Sequence, residues 1–264
     1  MSPIKKDDIL AVAVEASLAS SDLIMEAANF PRVPSHKGRT NLVTKTDIES
    51  EKIIKSIIST YFKNHSVLAE ESGNEDNSSD YQWIIDPLDG TTNFIHGYPS
   101  FAVSIAVYYR KTPIVAVVIE MPSMKMYTAI SDEGAFCEGR KITCSNTGSL
   151  ANSLLVTGFG YEHGKNWENN MRLFKYFTDI TQGVRRLGAA AIDICHVASG
   201  KVDGFWEYDL KPWDIAAGIL IAQEAGCIVS TINEEKELLK SKSIIVTNPN
   251  IYNDMIYNIN SYLN

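Results

Sequence analysis

Two aspartates directly follow a predicted buried strand, in the segment WIIDPLDGTTNF at residues 83–94. The end of the strand would hold Asp86 rigidly, and Pro87 would turn the chain so that Asp89 returns to the same point. Together with the carbonyl group of Leu88, the two carboxylates would supply the clustered oxygen ligands that Mg²⁺ prefers. The alternative is a simple acidic turn, because Asp-Pro and Asp-Gly pairs are common turn formers.

The residues after these aspartates are suited to binding an anion. Gly90 lets the backbone approach a ligand closely, since glycine has no side chain. A helix that begins at Thr91 would present its free N–H groups to a phosphate. A metal site and a phosphate site would therefore adjoin each other.

Four further acids lie at the ends of predicted elements. Glu70 and Glu71 follow the apolar strand 66–69, where paired glutamates are unusual unless one is solvated and the other is engaged. Asp214 lies at the start of a strongly apolar helix, and Asp47 precedes another helix. Each acid also has a plain structural interpretation, because the glutamates fit a charged loop and both aspartates fit helix N-caps.

The elements that would position these acids can be predicted from hydrophobic periodicity. Apolar residues at helical spacing predict a first helix from about Lys5 to Ala28 and a second that begins with Thr46 and Asp47 as candidate N-caps. A polar loop over 35–41 would separate the two. Later helices are predicted over about 167–177, after Gly188, over about 214–225 and after Pro249. Predicted strands are Ser66–Ala69, Trp83–Ile85, Phe101–Tyr109, Ile114–Glu120, Met126–Ile130, Leu154–Thr157 and Val202–Glu207.

This order of elements predicts an α/β (α+β) fold made of stacked layers. The first half has the short, turn-separated strands of a mostly antiparallel sheet, and no strand-helix-strand period suggests a TIM barrel. With 264 residues, 45% of them hydrophobic, the chain can fill a sizeable core. We therefore predict one domain over 1–264, with possible halves 1–145 and 146–264.

The composition argues against several classes of function. A formal net charge of −8 would repel nucleic acid and anionic membranes. No segment approaches 18 uninterrupted apolar residues and the N-terminus lacks a signal-peptide pattern, so a cytoplasmic protein without a membrane partner is expected. The four cysteines and five histidines form no C-x-x-C or H-E-x-x-H pattern, which disfavours zinc chemistry and predicts reduced thiols.

Taken together, the acidic segments resemble those of the inositol monophosphatase family, particularly its bacterial and cyanobacterial members. The resemblance extends from about residue 10 to the last predicted helix. The segments that carry it are LVTKTD at 42–47, LAEESG at 68–73, WIIDPLDGTTNF at 83–94 and KPWDIAAGILIAQEAG at 211–226. Their joint presence, in order, makes four independent structural explanations improbable.

The resemblance implies a five-layer αβαβα sandwich and a phosphatase that hydrolyses inositol 1-phosphate or a similar polyol or sugar monophosphate with Mg²⁺. It also implies sensitivity to lithium and a homodimer. The implied ligands of two or three Mg²⁺ ions are Glu70, Asp86, the Leu88 carbonyl, Asp89 and Asp214. The implied catalytic residues are Asp47, Glu70 and Thr91. The implied substrate contacts are Asp89, Gly90, Thr91, Gly188, Ala190, Glu207 and Asp214.

Several of these positions keep an alternative explanation or depart from the family pattern. The run that contains Gly188 also fits close helix packing, and Glu207 also fits an exposed charge at the end of a strand. Some animal relatives have a lysine where this chain has His36, which is followed here by Lys37. Lys211 replaces a histidine of the animal enzymes, so the substrate preference stays open.

Two other functions compete with hydrolysis of inositol 1-phosphate. Related phosphatases act on histidinol phosphate, fructose 1,6-bisphosphate, galactose 1-phosphate or nucleotide 3′-phosphates. A different class is a regulatory protein associated with RNA processing, as the resemblance to one bacterial relative suggests. The negative net charge argues against direct RNA binding in that case, although it leaves a protein partner possible.

Overall fold

The computed structural model describes residues 4–36, 42–233 and 235–263. Of the loop predicted over 35–41, only Ser35 and His36 belong to this part of the chain, where they form a short strand. Lys37 lies outside the described residues. Within them, no helix is long and apolar enough to cross a membrane.

The helices follow the predicted periodicity closely. Every helix predicted from the sequence is present, with its ends shifted by only a few residues. In the described residues the helices are α1 Lys6–Ala27, α2 Lys45–Tyr61, α3 Thr91–His96, α4 Lys165–Ile180, α5 Ala190–Ala198, α6 Pro212–Glu224 and α7 Tyr252–Leu263. Two short 3-10 helices, Leu150–Asn152 and Leu238–Lys240, lie between strands.

The predicted N-caps of α2 were wrong. Thr44 caps this helix, because its hydroxyl oxygen accepts a hydrogen bond from the N–H of Thr46 at 3.1 Å. Asp47 lies three positions further on and accepts the N–H of Thr44 at 2.8 Å, which completes a capping box. Asp214 has the same place in α6, where it accepts the N–H of Lys211 at 2.6 Å. Both aspartates thus help to start a helix from its third position.

The strands form two large sheets that divide the chain near the middle. The eight-stranded sheet has the order β10-β9-β8-β7-β6-β5-β3-β4, and only the β3–β5 pair in it is parallel. Its strands are β3 Ser66–Ala69, β4 Gly73–Glu75, β5 Tyr81–Asp89, β6 Phe101–Tyr109, β7 Thr112–Met121, β8 Lys125–Ile130, β9 Gly134–Cys137 and β10 Arg140–Lys141. The mostly antiparallel sheet predicted for the first half is confirmed.

The second sheet is mixed. Its order is β12-β11-β13-β15-β14, with β11 parallel to both neighbours and the other pairs antiparallel. Its strands are β11 Leu154–Thr157, β12 Gly183–Arg185, β13 Gly204–Tyr208, β14 Ile228–Ser230 and β15 Ser243–Thr247. A separate ribbon pairs β1 Ser35–His36 with β2 Leu42–Val43.

Three apolar cores fill the four interfaces between five layers of secondary structure, because one core extends over both faces of the layer formed by α5 and α6. Alternate residues of a strand point to opposite faces, so Trp83 packs against α1 and α2 while Ile84 packs toward α5 and α6. In the same way Phe205 faces α5 and α6, and Trp206 faces α4 and α7. The αβαβα sandwich is therefore confirmed. The assignment of one domain with two sequence halves stays a prediction.

Candidate active site

The end of β5 contains an irregularity that shapes the site. Asp86 pairs with Ser104 and Asp89 with Ala102, so β5 has one residue more than β6 between these pairs. The carboxylate of Asp86 accepts the N–H of Leu88 at 3.0 Å. Such a bulge turns side chains away from their normal alternation. The prediction that the strand ends at Ile85 was wrong, since β5 continues through this bulge to Asp89.

Four acids from three elements influence one another at this point. Asp86 and Asp89 are buried, whereas Asp214 at the start of α6 and Glu70 after β3 are half-buried. Burial raises the pKa of Asp86 well above its usual value, and the charges of Glu70, Asp89 and Asp214 raise it further. Burial likewise raises the pKa of Asp214 to about 7, with a contribution from Glu70. The fold therefore gathers acids that repel one another.

These acids suit a hard cation in their chemistry. Each aspartate accepts a backbone N–H through one oxygen, Asp89 from Ala191 at 2.8 Å, and a carboxylate has a second oxygen to offer. Within the described residues, no Lys or Arg forms an ion pair with Asp86 or Asp89, and no three acids, cysteines or histidines already form a metal cage. An all-oxygen donor set whose members repel one another fits Mg²⁺, which would relieve that repulsion.

We expect the stabilisation by Mg²⁺ to grow as the pH rises from about 5 to about 8. The folded, metal-free protein keeps the proton of Asp214 up to about pH 7, whereas the unfolded chain loses it near 3.8. Stability without metal therefore falls as the pH rises through this window. Mg²⁺ held by these acids would have to displace the same protons, so its affinity should rise with pH. The measurement is the difference between the melting temperatures in Mg²⁺ and in a chelator.

The pKa of His65 is also shifted, so the prediction is tested by the difference between the melting temperatures in Mg²⁺ and in a chelator rather than by one curve of stability against pH. Burial lowers the pKa of His65 to about 4, so this group makes the protein more stable as the pH rises from about 4 to 6.5. His65 lies in the aromatic group with Trp83 and Tyr81, away from the four acids, so its effect cancels in the difference. A difference that does not change with pH would contradict the prediction.

Asp47 and Thr91 form a hydrogen-bonded pair beside the bulge. The hydroxyl group of Thr91 donates to one oxygen of Asp47 at 2.8 Å, and the Leu88 carbonyl lies 3.1 Å from the same hydroxyl. The other oxygen of Asp47 accepts from both the N–H and the hydroxyl of Thr44, at 2.8 and 2.5 Å. Asp47 is thus fixed by the helix cap and in turn orients the Thr91 hydroxyl.

Gly90 lies between the acids and α3 in a conformation that requires glycine. Its φ angle is +86°, and a Cβ atom there would lie 2.9 Å from the carbonyl oxygen of Ser100. The first hydrogen bond of α3 runs from the N–H of Phe94 to the Gly90 carbonyl at 3.0 Å. The N–H groups before Phe94 therefore have no partner within this helix.

A cleft of about 470 Å³ extends from these acids toward the second sheet. Among the predicted site residues, its walls include Glu70, Asp89, Gly90, Gly188, Ala190, Glu207 and Asp214. Glu207 is only 5% exposed, which contradicts its alternative interpretation as an exposed charge. Burial raises its pKa, as do the charges of Asp214 and Asp89, whereas Arg186 lowers it. No residue of the described chain forms a hydrogen bond with the Glu207 carboxylate.

Two residues next to Glu207 were not predicted from the sequence. Gly158 follows β11, and a Cβ atom there would overlap the Glu207 carboxylate, so glycine leaves the space that this group occupies. Asp193 in α5 is fully buried, and neither of its carboxylate oxygens has a partner among the described residues. Its pKa is raised by burial and by Glu207. The only sequence signal for Asp193 is a lone acid in the apolar segment AAIDIC.

Comparison with known proteins identifies the family to which this chain belongs. The sequence model of the inositol monophosphatase family matches residues 5–262. The chain belongs to this family. It is therefore a phosphatase of the inositol monophosphatase family, and the acids of β5 and α6 lie within the matched region.

Individual relatives in the family carry different names. The chain is 49% identical over 247 residues to phosphatase IMPL1, chloroplastic, of Arabidopsis thaliana, covering 91% of this chain and 67% of that protein. It is 43% identical to the inositol-1-monophosphatase of Synechocystis, covering 96% and 89%. It is 37% identical to the Nus factor SuhB of Pseudomonas aeruginosa, covering 97% of each.

The fold agrees with a solved member of the family. The inositol monophosphatase of Anabaena matches with a TM-score of 0.88 at 36% identity, covering 97% of this chain and 96% of that chain. The expected inositol monophosphatase fold is thus confirmed for nearly the whole length.

Proposed function

We propose that this protein is a Mg²⁺-dependent phosphomonoesterase that hydrolyses inositol 1-phosphate or a similar small polyol or sugar monophosphate. The observation that carries the proposal is a cleft lined by Glu70, Asp89 and Asp214, three of the four mutually repelling acids. The hydrogen-bonded pair Asp47 and Thr91 lies next to it, beside the β5 bulge that carries Asp89. A volume of about 470 Å³ suits a monophosphate of one sugar or polyol ring. The name of the Synechocystis relative points to the same substrate.

Glu70, Asp86, the Leu88 carbonyl, Asp89 and Asp214 would hold the Mg²⁺ ions. Bound Mg²⁺ supplies a water molecule of lowered pKa and neutralises charge on the phosphoryl oxygens. The protein's own groups would bind the substrate and align the water. Glu70, which lines the cleft with Asp89 and Asp214, would also be catalytic, as the family resemblance implies.

Asp47 and Thr91 would orient the attacking water. Because the Thr91 hydroxyl donates its hydrogen to Asp47, its lone pairs are left to accept a hydrogen from the water. Asp47 cannot turn away easily, since Thr44 donates two hydrogen bonds to its other oxygen. The pair would therefore fix the direction of attack, a contribution that comes from positioning.

The substrate would lie between α3 and the second sheet. Backbone N–H groups at Gly90 and Thr91 would bind the phosphate, since they precede the first hydrogen bond of α3. The buried carboxylate of Glu207 would accept hydrogen bonds from hydroxyl groups of the leaving group, next to the backbone at Gly188 and Ala190. Asp89 and Asp214 would contact the substrate from the metal side.

The test is phosphate release from inositol 1-phosphate, measured with Mg²⁺ and with a chelator. We expect turnover that depends strictly on the metal. A panel of kcat/KM values over inositol 1-phosphate, histidinol phosphate, fructose 1,6-bisphosphate, galactose 1-phosphate and a nucleotide 3′-phosphate ranks the alternatives. A much higher value for another member of the panel would reassign the substrate, and no release from any member would reject the proposed activity.

A second candidate is a regulatory role through a protein partner, which the Nus factor name of the Pseudomonas relative favours. The net charge of −8 argues against direct binding to nucleic acid. The two candidates are separable, because a variant without turnover would keep a purely regulatory role. We also propose a homodimer, as the family resemblance implies, which the molar mass in solution would test.

A further inference from the structure

Glu51 is a buried acid that no part of the proposed chemistry uses. It lies in α2, four residues after Asp47, and is only 4% exposed. One of its carboxylate oxygens accepts the N–H of Glu71 at 2.8 Å, and the other accepts the N–H of Ser72 at 3.1 Å. Both donors belong to the turn between β3 and β4, directly after Glu70. Both oxygens of the carboxylate therefore accept hydrogen bonds from the backbone of this turn.

The same turn is attached at its other end to β5. The N–H of Glu70 donates to the carbonyl of Ile85 at 3.2 Å, which continues the β3–β5 pairing up to the residue before Asp86. Glu51 holds the chain immediately after Glu70, and Lys55 adds a hydrogen bond from its Nζ to the hydroxyl of Ser72 at 2.9 Å. The backbone of Glu70 is thus fixed on both sides.

A turn in this place needs support because of electrostatic repulsion. Glu70 lines the same cleft as Asp89 and Asp214, so this turn brings a third carboxylate close to two others, and like charges repel one another. A buried carboxylate is costly unless hydrogen bonds satisfy it, and two backbone N–H groups do so for Glu51. An apolar side chain at position 51 could fill the same volume. It could not accept the N–H groups of the turn, and so could not hold Glu70 close to the other carboxylates.

We propose that Glu51 is a positioning residue, whose grip on the N–H groups of Glu71 and Ser72 holds Glu70 ready to bind Mg²⁺. The inference rests on the proposed function, in which Glu70 is a metal ligand. Helix α2 would then serve the site twice, through Asp47 in its first turn and through Glu51 in its second. Residues four apart lie on one face of a helix, so a single rigid element links the two.

The test is Glu51→Gln, read through Mg²⁺ binding rather than through activity alone. Glutamine can accept one of the two N–H groups but turns an NH₂ group toward the other. Thermal unfolding over a range of Mg²⁺ concentrations gives the apparent affinity. We expect it to weaken by about 10- to 100-fold, the usual effect of losing a residue that supports a ligand. At saturating Mg²⁺, KM for the substrate should be unchanged and kcat largely restored.

Two controls separate the possible failures. Glu49→Gln removes the same charge from the same helix, where Glu49 forms an ion pair with the exposed Lys45, and should leave Mg²⁺ affinity unchanged. Glu70→Gln should weaken Mg²⁺ binding directly. If Glu70→Gln has no effect, Glu70 is not a ligand and the proposed metal site is wrong. If Glu70→Gln weakens binding while Glu51→Gln does not, the role of Glu51 is overturned.

A measurement on the unchanged protein covers the case in which Glu51→Gln does not fold. Amide hydrogen exchange at Glu71 and Ser72 reports whether their bonds to Glu51 open. If the turn and the metal are coupled, Mg²⁺ should slow exchange at these two amides more than at the turn between β6 and β7, around Arg110. Equal exchange at Glu71 and Ser72 with and without Mg²⁺ would overturn the inference.

Discussion

Asp89→Asn is expected to abolish turnover while the fold stays intact. Asparagine keeps the shape of the side chain, and its carbonyl oxygen can still accept the N–H of Ala191, which Asp89 binds at 2.8 Å. The variant loses the charge that would hold the metal. Charge stabilisation by a metal is worth several kcal/mol, so the loss in kcat should reach roughly 10³-fold or more. Steady-state kinetics at saturating Mg²⁺ measures it.

The same variant should change stability in opposite ways with and without metal. In a chelator, Asp89→Asn removes one of the acids that repel Asp214 and Asp86, so the melting temperature should rise. The rise in melting temperature that Mg²⁺ causes should be smaller in the variant than in the unchanged protein, because the variant binds the ion less well. Asp132→Asn, which removes an exposed charge far from the cleft, should change neither value. If Asp89→Asn turns over substrate about as fast as the unchanged protein, Asp89 does not bind the metal ion that catalysis needs.

The regular elements could be predicted because they depend on local pattern. The strand Phe101–Tyr109 and the strand Leu154–Thr157 have the predicted bounds, since their buried apolar runs end at turn-forming residues. The end of β5 could not be predicted in the same way. Its extra residue is defined by pairing with β6, which lies ten or more residues further along the chain. The residues of the strand itself therefore predicted its end too early, at Ile85 instead of Asp89.

The acids of the candidate site were predictable because they stand next to the elements that carry them. Asp86 and Asp89 follow an apolar strand, and Asp214 precedes an apolar helix. Glu51 carries no such signal. In the sequence it stands between other charges in α2 and resembles a solvated helix face, and only the approach of the turn at 71–72 makes it a buried acceptor.

Residues around Glu207 were missed for the same reason. Gly158 is one of 16 glycines and follows a strand, a position that a turn explains equally well. Its importance depends on Glu207, 49 residues away, whose carboxylate occupies the space of the absent side chain. Asp193 likewise becomes notable only because α5 carries it into the interior without a partner among the described residues. Contacts between distant segments are not encoded in local spacing.

Glu207→Gln is expected to lower kcat/KM for inositol 1-phosphate by about 10- to 150-fold. Glu207 lines the cleft, is nearly buried and has no hydrogen-bond partner in the described chain, so substrate hydroxyl groups can fill that role. Metal bound by Asp89 and Asp214 would offset the charges that help to raise the pKa of Glu207 and so favour its charged form. A hydrogen bond to a charged group contributes roughly 1.5 to 3 kcal/mol, and about 1.4 kcal/mol corresponds to a factor of ten. Glu207→Ala should produce a similar or larger loss.

An aryl phosphate provides the internal comparison for this prediction. It shares the metal ions, the water and the phosphate contacts with inositol 1-phosphate, but its leaving group has no hydroxyl groups, so Glu207→Gln should leave its kcat/KM nearly unchanged. Gly158→Ala should reproduce this selective loss, because the added methyl group displaces the Glu207 carboxylate while the chain around it can remain folded. Equal losses on both substrates would mean that Glu207 acts through folding or metal binding. No loss on either would show that its burial serves the fold alone.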